Sequence, residues 1–332
     1  MNKIDSVSEE DWNLVNKENQ NIVNEFLEQS THLSPKSLEQ YKSALRIYFK
    51  WIQENANNKA FYEIKPRDYL FYQNWLVKHG LSSAAVKMKR AAVSSLNGYV
   101  ELYYEQEYPM FRNYISKKIA SPAPSFVNKK DPPTLEEMEK IYSELEKKEL
   151  WNVLAFVKFT FSTGCRRAEV AQLKREVINY EPKIKMVSFF EDGIKVTKEA
   201  KFYLTHEIRC KGRGVAGKVR VLQFDENTMI AIKKWLEIRG EDESEFVFPS
   251  KDDFSTHIDP KTFNAWAKRY IEPILGRRFH PHAFREARAT TLALEEGKSI
   301  DSIQSLLGHN SSQTTQIYII KDNSGDSDEI FT

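Results

Sequence analysis

Side chains near the carboxyl end of the sequence form a set suited to phosphoryl-transfer chemistry. His282 and Arg285 stand three residues apart in a run of good helix formers, so the spacing places both on one helix face. His309 and Tyr318 follow in the same part of the chain. Guanidinium and imidazole groups can donate hydrogen bonds to a phosphate, and a phenol can become a covalent nucleophile. The set therefore predicts a site that binds a phosphate group and attacks it.

Helix signals indicate how the chain would position these side chains. The run from Ile300 to Leu307 has apolar residues at helical spacing and ends at Gly308, a residue type that commonly terminates helices in the left-handed conformation. His309 would then lie just beyond the helix end. Residues 310–315 can cap a further short helix, which would carry Tyr318.

A second candidate segment follows an apolar helix predicted over Trp151–Phe161. The Thr-Gly pair at 163–164 ends that helix, and Arg166 then falls in the first turn of a second helix that also contains Glu169. Arg167 leaves the position of a functional arginine ambiguous by one residue. An arginine-rich surface turn is the alternative interpretation of so short a motif.

Residues 184–224 change from helical spacing to alternation of β-branched and aromatic residues. His206–Lys211 and Val219–Phe224 are predicted to be two strands joined by a glycine-containing loop. Lys211 stands at a strand end, directly before a glycine. A basic hairpin without a catalytic role is the alternative interpretation.

Together these segments resemble the signature of the tyrosine recombinases, also called phage-type integrases. The matching elements in chain order are Thr163-Gly164-x-Arg166-x-x-Glu169, Lys211, His282-x-x-Arg285, Leu306-Leu307-Gly308-His309 and Tyr318. Their joint order is far more specific than any one short motif. The resemblance implies a mainly α-helical protein with a small antiparallel β-sheet, in which a helical core-binding domain and a mixed α/β catalytic domain form a C-shaped clamp.

The resemblance also implies a set of catalytic residues, which are Arg166, Lys211, His282, Arg285, His309 and Tyr318, with Glu169 in a supporting role. In that scheme the tyrosine attacks a DNA phosphodiester and leaves a 3′-phosphotyrosyl bond and a free 5′-hydroxyl. The arginines hold the non-bridging oxygens, the lysine protonates the leaving oxygen, and the first histidine accepts the phenol proton. The second histidine binds the phosphate or assists the base. Reversal with another duplex exchanges strands through a Holliday junction, within a homotetramer.

The sequence departs from the simplest family pattern at two places. Glu286 stands where many members carry histidine or another basic residue, and nearby Arg288 could compensate for it or be mistaken for the catalytic arginine. The interval from Leu173 to Lys211 is long, so an extra strand or loop is expected there. Lys218 is the alternative to Lys211 as the catalytic lysine.

Composition and turn signals predict the domain organisation. The predicted divisions are a flexible amino terminus (1–15), a helical core-binding, SAM-like DNA-binding domain (16–115), a linker (116–133), a catalytic domain (134–320) and a carboxy-terminal tail (321–332). Four prolines within residues 120–133 disfavour regular structure. Thr134 and Glu137 form a capping box, which indicates that a new domain begins there with a helix.

The distribution of charge indicates a nucleic-acid partner. The whole chain carries a net charge of +2, but residues 1–30 carry −5 and residues 321–332 carry −3, so the residues between them carry +10. A basic body suits a phosphate backbone, although terminal acids can also be merely solvated. Cations predicted to contact DNA are Lys87, Lys89, Arg90, Arg209, Arg213 and Lys218. The expected partners are double-stranded DNA with inverted-repeat core sites and an accessory directionality protein.

Composition argues against several other classes. There is no long apolar run and no secretory signal, so a cytoplasmic, nucleoid-associated protein without a membrane partner is expected. Only two cysteines are present, which excludes a disulfide framework, and no metal or other cofactor is expected. The predicted function is a site-specific recombinase that integrates or excises a mobile element. The alternatives are chromosome-dimer resolution, a type IB topoisomerase, a telomere resolvase and a non-catalytic DNA-binding protein.

Overall fold

A computed structural model describes residues 4–115, 119–120, 122–123, 131–191, 194–210, 212 and 217–308. They group into two compact units, of which the first holds residues 4–115 and the second holds nearly all of residues 131–308. Helices predominate, and two small antiparallel sheets lie in the second unit. The predicted fold class, mainly α with a small antiparallel β component, is confirmed.

The first unit is helical. Its elements are α1 (Glu9–Asn13), α2 (Lys17–Gln29), α3 (Pro35–Asn55), a short 3-10 turn (Phe61–Glu63), α4 (Pro66–Lys78) and α5 (Ser83–Tyr103). Local capping sets the helix starts. The hydroxyl of Ser34 accepts the backbone N–H of Ser37 at 3.2 Å, and that of Ser82 accepts the backbone N–H of Ala85 at 3.2 Å.

The amino-terminal segment differs from its prediction. The sequence predicts flexibility for residues 1–15, whereas Glu9–Asn13 forms α1 and Trp12 is only 4% exposed. The guanidinium of Arg46 donates to both carboxylate oxygens of Glu9, at 2.5 and 3.0 Å, and lies 5.1 Å from the centroid of the Trp12 ring. One indole anchors this polar segment to the core of the first unit, which is why its composition is misleading.

The second unit is built around α7, a mainly apolar helix with no exposed face. Its helical elements are α6 (Leu135–Lys147), α7 (Trp151–Thr163), α8 (Arg167–Val170), a 3-10 turn (Arg175–Asn179), α9 (Glu226–Arg239), α10 (Thr262–Trp266), a π-helical turn (Ala267–Ile271), α11 (Glu272–Leu275), α12 (His282–Thr290), a second π-helical turn (Thr291–Glu295) and α13 (Ile300–Leu307). Phe156 of α7 stacks on Phe263 of α10 with ring centroids 4.2 Å apart. Burial on every face fixes α7 and therefore the position of the residues that follow it. No helix within the described ranges is both long and apolar enough to cross a bilayer.

Two antiparallel sheets interrupt the helices. β1 (Lys183–Glu191), β2 (Ile194–Leu204) and β5 (Gln223–Asp225) form one sheet in the order β1-β2-β5, and β3 (Ile208–Cys210) pairs with β4 (Lys218–Arg220) in another. The long β1–β2 hairpin confirms the extra strand expected before Lys211. The single strand predicted over Val219–Phe224 is wrong, because Arg220 pairs with Ile208 whereas Phe224 pairs with Tyr203 in the other sheet.

Candidate active site

The end of α7 and the start of α8 hold the first predicted arginine. Gly164 ends α7 in the left-handed conformation, with φ of 61°. The backbone N–H of Arg166 donates to Oε2 of Glu169 at 3.1 Å, and Nη1 of Arg166 donates to Oε1 of the same carboxylate at 3.1 Å. Glu169 thus accepts from both the backbone and the side chain of Arg166, which holds the guanidinium at the helix start.

Arg167, the neighbouring candidate, has a different partner. Its Nη1 donates to Oδ1 of Asn264 in α10. Arg166 is instead held by the carboxylate of Glu169, which is only 1% exposed. These contacts favour Arg166 as the functional arginine and make Arg167 a link between α8 and α10.

Glu169 is a buried carboxylate held by two arginines. Nη2 of Arg220 donates to its Oε2 at 2.8 Å, beside the contact from Arg166. Burial opposes ionisation of the carboxyl group, but the charge and hydrogen bond of Arg220, together with Arg166, outweigh it and hold the pKa of Glu169 below its ordinary value. Glu169 is therefore ionised at neutral pH and joins the two cations.

Arg285, on α12, is fully buried, with 0% relative exposure. Its Nη1 donates to the carbonyl oxygen of Gly164 at 2.5 Å, and its Nη2 donates to the carbonyl oxygen of Leu307 at 2.7 Å. These carbonyls lie at the carboxyl ends of α7 and α13, where the last carbonyl groups have no partner within the helix. Arg285 thus joins three helices and lies next to the segment that carries Arg166.

His282 is exposed at the first position of α12. Its ring centroid lies 6.4 Å from that of His280. The sequence predicts a shared helix face for His282 and Arg285, but their surroundings differ. The imidazole lies at the open start of the helix, whereas the guanidinium lies one turn further in, where α12 packs against α7 and α13.

Glu286 and Arg288, which raised the question of a different catalytic arginine, have their own environments. Glu286 is only 5% exposed. Nη1 of Arg288 donates to Oε1 of Glu296 at 2.7 Å, and its guanidinium lies 5.7 Å from the centroid of the Phe161 ring. Arg288 thus pairs with a partly exposed carboxylate, whereas Arg285 holds two helix ends. The contacts favour Arg285.

The hairpin of β3 and β4 lies beside Glu169. Cys210 pairs with Lys218 across the two strands, and Nε of Arg220 donates to Sγ of Cys210 at 3.2 Å. Lys218 is exposed at the start of β4. Lys211 directly follows Cys210 in the sequence but lies outside the described residues.

The end of α13 approaches the same cluster. Gly308 ends the helix in the left-handed conformation, with φ of 65°, as the sequence predicts. The carbonyl oxygen of Leu306 accepts Nη1 of Arg220 at 2.6 Å. His309 and Tyr318, like Arg213, lie outside the described residues.

Two sets of hydrogen bonds, which meet at the neighbouring residues Leu306 and Leu307, therefore connect α8, the β3–β4 hairpin, α12 and the ends of α7 and α13. We call this group the arginine cluster, and its members are Arg166, Glu169, Arg220, Arg285 and the carbonyls of Gly164, Leu306 and Leu307. Three guanidinium groups accompany one carboxylate. Such a concentration of fixed positive charge suits the binding of an anion, and paired N–H donors match the geometry of a phosphodiester.

Comparison with known protein families matches both units. Residues 134–324 match the phage integrase family, and residues 24–102 match the phage integrase N-terminal SAM-like domain. The chain belongs to the phage integrase family. The resemblance to tyrosine recombinases is thereby confirmed, and this integrase-family protein is a site-specific recombinase.

Curated relatives of this integrase-family chain extend over most of its length. The SPbeta prophage-derived recombinase-like protein YomM of Bacillus subtilis (strain 168) is 29% identical over 99% of this chain and 95% of its own length. The tyrosine recombinase XerA of Thermococcus onnurineus (strain NA1) is 26% identical over 83% of this chain and 84% of its own length.

Solved structures show the same fold. The Tn1549 transposon integrase in complex with transposon right end DNA covers 94% of this chain and 98% of its own, with a TM-score of 0.66 and 14% identity. A XerH recombinase bound to palindromic difH substrate covers 88% of this chain and 77% of its own, with a TM-score of 0.63 and 20% identity. The transposon integrase and the XerH recombinase therefore both share the fold of this integrase-family chain.

The predicted DNA-contacting cations of the integrase differ in exposure. On α5, Lys87 is exposed and Arg90 is partly buried, with its Nη1 donating to Oε1 of Gln73 at 3.0 Å. Lys89 is only 7% exposed, and burial lowers the pKa of its ammonium group. The placement of Lys89 thus argues against the predicted phosphate contact, since its side chain lies in the core of the first unit. In the second unit Arg209 is exposed on β3.

The sequence did not predict that Arg220 is a central member of the arginine cluster. The sequence shows it only as one cation among several near Lys211. Its partners Glu169 and Leu306 are 51 and 86 residues away along the chain. A position in a predicted strand near the candidate lysines was the only available signal, and it did not distinguish a partly buried, bridging arginine from a surface one.

Proposed function

We propose that this recombinase cleaves DNA through Tyr318 and forms a 3′-phosphotyrosyl intermediate, with release of a 5′-hydroxyl. Arg166 and Arg285 hold the non-bridging oxygens and stabilise the charge that develops on them. Lys211 protonates the leaving 5′ oxygen, and His282 accepts the phenol proton. Attack of a 5′-hydroxyl from another duplex reverses the step and exchanges strands through a Holliday junction.

The remaining predicted residues have supporting roles in this proposal. His309 binds the phosphate or assists the base, and Glu169 orients Arg166. The observation that carries the proposal is the arginine cluster, because it gathers in one group the segments that carry or precede the proposed catalytic residues. The carbonyls that accept from Arg285 are uncharged. A phosphate oxygen forms stronger, charge-assisted hydrogen bonds and so competes with them when DNA binds.

The DNA substrate in this proposal is a duplex with inverted-repeat core sites, bound by a homotetramer. Lys87, Arg209, Arg213 and Lys218 contact its backbone, and an accessory protein sets direction. Solved relatives bound to transposon right end DNA and to difH substrate support DNA as the ligand. The site of action is then the nucleoid.

For the biological role, we propose integration and excision of a mobile element. The support is the prophage-derived recombinase-like relative, which is 29% identical over 99% of this chain. Chromosome-dimer resolution is the second candidate, favoured by the XerA relative at 26% identity over 83% of the chain. Recombination assays on attachment sites and on chromosomal dimer-resolution sites separate the two.

A suicide-substrate assay tests the chemistry. The full-length protein is incubated with genomic DNA selected for binding and nicked near the expected cleavage position, and denaturing electrophoresis then detects a covalent adduct. The adduct should form with the natural chain and with Tyr270→Phe, which changes a tyrosine elsewhere in the second unit. It should be lost with Tyr318→Phe. An absence of adduct on DNA that the protein binds supports the non-catalytic DNA-binding alternative instead.

A further inference from the structure

Arg220 contacts three separate segments of the second unit through its guanidinium group. Nη2 donates to Oε2 of Glu169 at 2.8 Å, Nη1 to the carbonyl oxygen of Leu306 at 2.6 Å, and Nε to Sγ of Cys210 at 3.2 Å. We infer that Arg220 is a positioning residue that holds the separate parts of the active site in register. The inference rests on the function proposed above.

Each partner of Arg220 lies next to a proposed catalytic residue. Glu169 binds Arg166 directly. Cys210 immediately precedes Lys211 and pairs across the hairpin with Lys218, so the argument holds for either candidate lysine. The carbonyl of Leu306 belongs to the last turn of α13, three residues before the second proposed catalytic histidine. Displacement of Arg220 should therefore change the positions of two parts of the proposed site together. One is Arg166, which binds the phosphate, and the other is the hairpin that carries the candidate lysines, which protonate the leaving oxygen.

The fit around the guanidinium requires arginine. Its planar fork sends N–H groups in three directions, and each direction meets an acceptor from a different segment. A lysine ammonium can keep the charge next to Glu169 but cannot reach the carbonyl and the thiol with the same geometry. The end of α13 is also close, since a Cβ on Gly308 would lie 2.8 Å from Nη1 of Arg220. A displacement of a catalytic group by about 1 Å can lower the reaction rate roughly a hundredfold.

The chain offers a matched control for this residue. Arg239 has a side chain that is 7% exposed, pairs with Asp242 and donates through Nη1 to the carbonyl oxygen of Phe246 at 2.6 Å. Like Arg220, it joins a carboxylate to a backbone carbonyl, but both partners lie in the segment that follows α9. Arg239→Lys therefore reports the general cost of replacing a buried bridging arginine.

The test compares Arg220→Lys and Arg239→Lys in single-turnover cleavage of the suicide substrate, with DNA affinity and thermal stability measured alongside. Arg220→Lys should slow adduct formation roughly a hundredfold while DNA affinity stays within about threefold, whereas Arg239→Lys should leave the rate within about threefold. Arg220→Met serves as the charge-free variant. If Arg220→Lys folds and cleaves within about threefold of the natural rate, the inference is wrong.

A substrate with sulfur in place of the 5′-bridging oxygen adds a readout that a general folding defect does not change. The P–S bond breaks and the thiolate departs without needing a proton, so the position of the catalytic lysine no longer limits the rate. The deficit of Arg220→Lys should shrink by about tenfold or more on this substrate. If the cleavage rate of Arg220→Lys is reduced equally on both substrates, the inference that Arg220 positions the catalytic lysine is wrong. If the natural chain forms no adduct on either substrate, the proposed function fails instead.

Discussion

Replacement of Gly164 by alanine should destabilise the second unit through two separate penalties. The residue has φ of 61°, and a Cβ built on it would lie 2.4 Å from Cδ2 of Leu307. Cβ atoms do not approach other carbons so closely, and Leu307 has 0% relative exposure in a packed environment. The variant must therefore adopt a strained backbone and also push the end of α13 away from α7.

The size of each penalty follows from its cause. An alanine in the left-handed conformation costs about 1–2 kcal/mol, because its Cβ crowds the following carbonyl. Overpacking of a core by one carbon costs about 1–3 kcal/mol. The free energy of unfolding should therefore fall by about 2–5 kcal/mol, a large part of the stability of an ordinary domain.

Gly276→Ala is the matched control. Gly276 ends α11 with φ of 66°, and no described atom lies within 4 Å of a Cβ built there. It carries the backbone penalty alone, so the difference between the two variants isolates the clash with Leu307. Urea denaturation of the full-length proteins should give free energies of unfolding that differ by about 1–3 kcal/mol.

Equal free energies for Gly164→Ala and Gly276→Ala, within about 0.5 kcal/mol, would refute the packing argument. A double variant sharpens the test, because Leu307→Ala removes the atom that clashes. Gly164→Ala should then cost less in the Leu307→Ala background than in the natural chain. Adduct formation should also fall with Gly164→Ala, since both carbonyls that accept from Arg285 are displaced.

Three further expectations concern other parts of the molecule. Lys87→Met should weaken DNA binding and reduce its salt dependence, whereas Lys89→Met, on the same helix but buried, should leave affinity within about twofold in gel-shift titrations. Glu169→Gln should cost about 3 kcal/mol at pH 7. Because folding lowers the pKa of Glu169, its stabilisation is complete above the ordinary carboxyl range and is lost as pH falls through the lowered pKa. The difference in Tm between Glu169→Gln and the natural chain should therefore shrink as the pH is lowered below the ordinary carboxyl range. A difference that stays constant contradicts the lowered pKa. Trp12→Ala should cost about 3–5 kcal/mol in the first unit, and an unchanged urea midpoint would show that α1 is not part of its core.

The sequence predicted well those features that depend on neighbouring residues. Thr134 accepts the backbone N–H of Glu137 at 3.2 Å, and the carboxylate of Glu137 accepts the backbone N–H of Thr134 at 3.1 Å, as the capping box indicates. The apolar helix predicted over Trp151–Phe161 is present as α7, two residues longer. The glycine after α13 also has the expected left-handed conformation. Each of these signals acts over four residues or fewer, so it can be identified before the tertiary structure is known.

Features that depend on distant contacts were not predictable in this way. Lys89 lies between two other basic residues on α5, and only the packing of the helix decides that its side chain is buried. The bend that divides Val219–Phe224 arises because Phe224 is 1% exposed and stacks on Tyr203 within the β1-β2-β5 sheet, whereas Arg220 pairs in the β3–β4 sheet. Periodicity specifies that a strand has two faces, but it does not specify which sheet each part joins.

Two arginines, Arg220 and Arg285, bind the end of α13 and connect that helix to the arginine cluster. The last carbonyls of a helix lack partners and carry partial negative charge, so cations placed there stabilise the helix. Arg220 donates to the carbonyl oxygen of Leu306, and Arg285 donates to that of the next residue, Leu307. The same guanidinium groups reach Glu169 and Gly164, which lie close in the sequence to Arg166, the first proposed catalytic arginine. A shift of α13 therefore cannot leave the arginine cluster unchanged, because the contacts that fix the helix end are the contacts that place the proposed phosphate-binding groups.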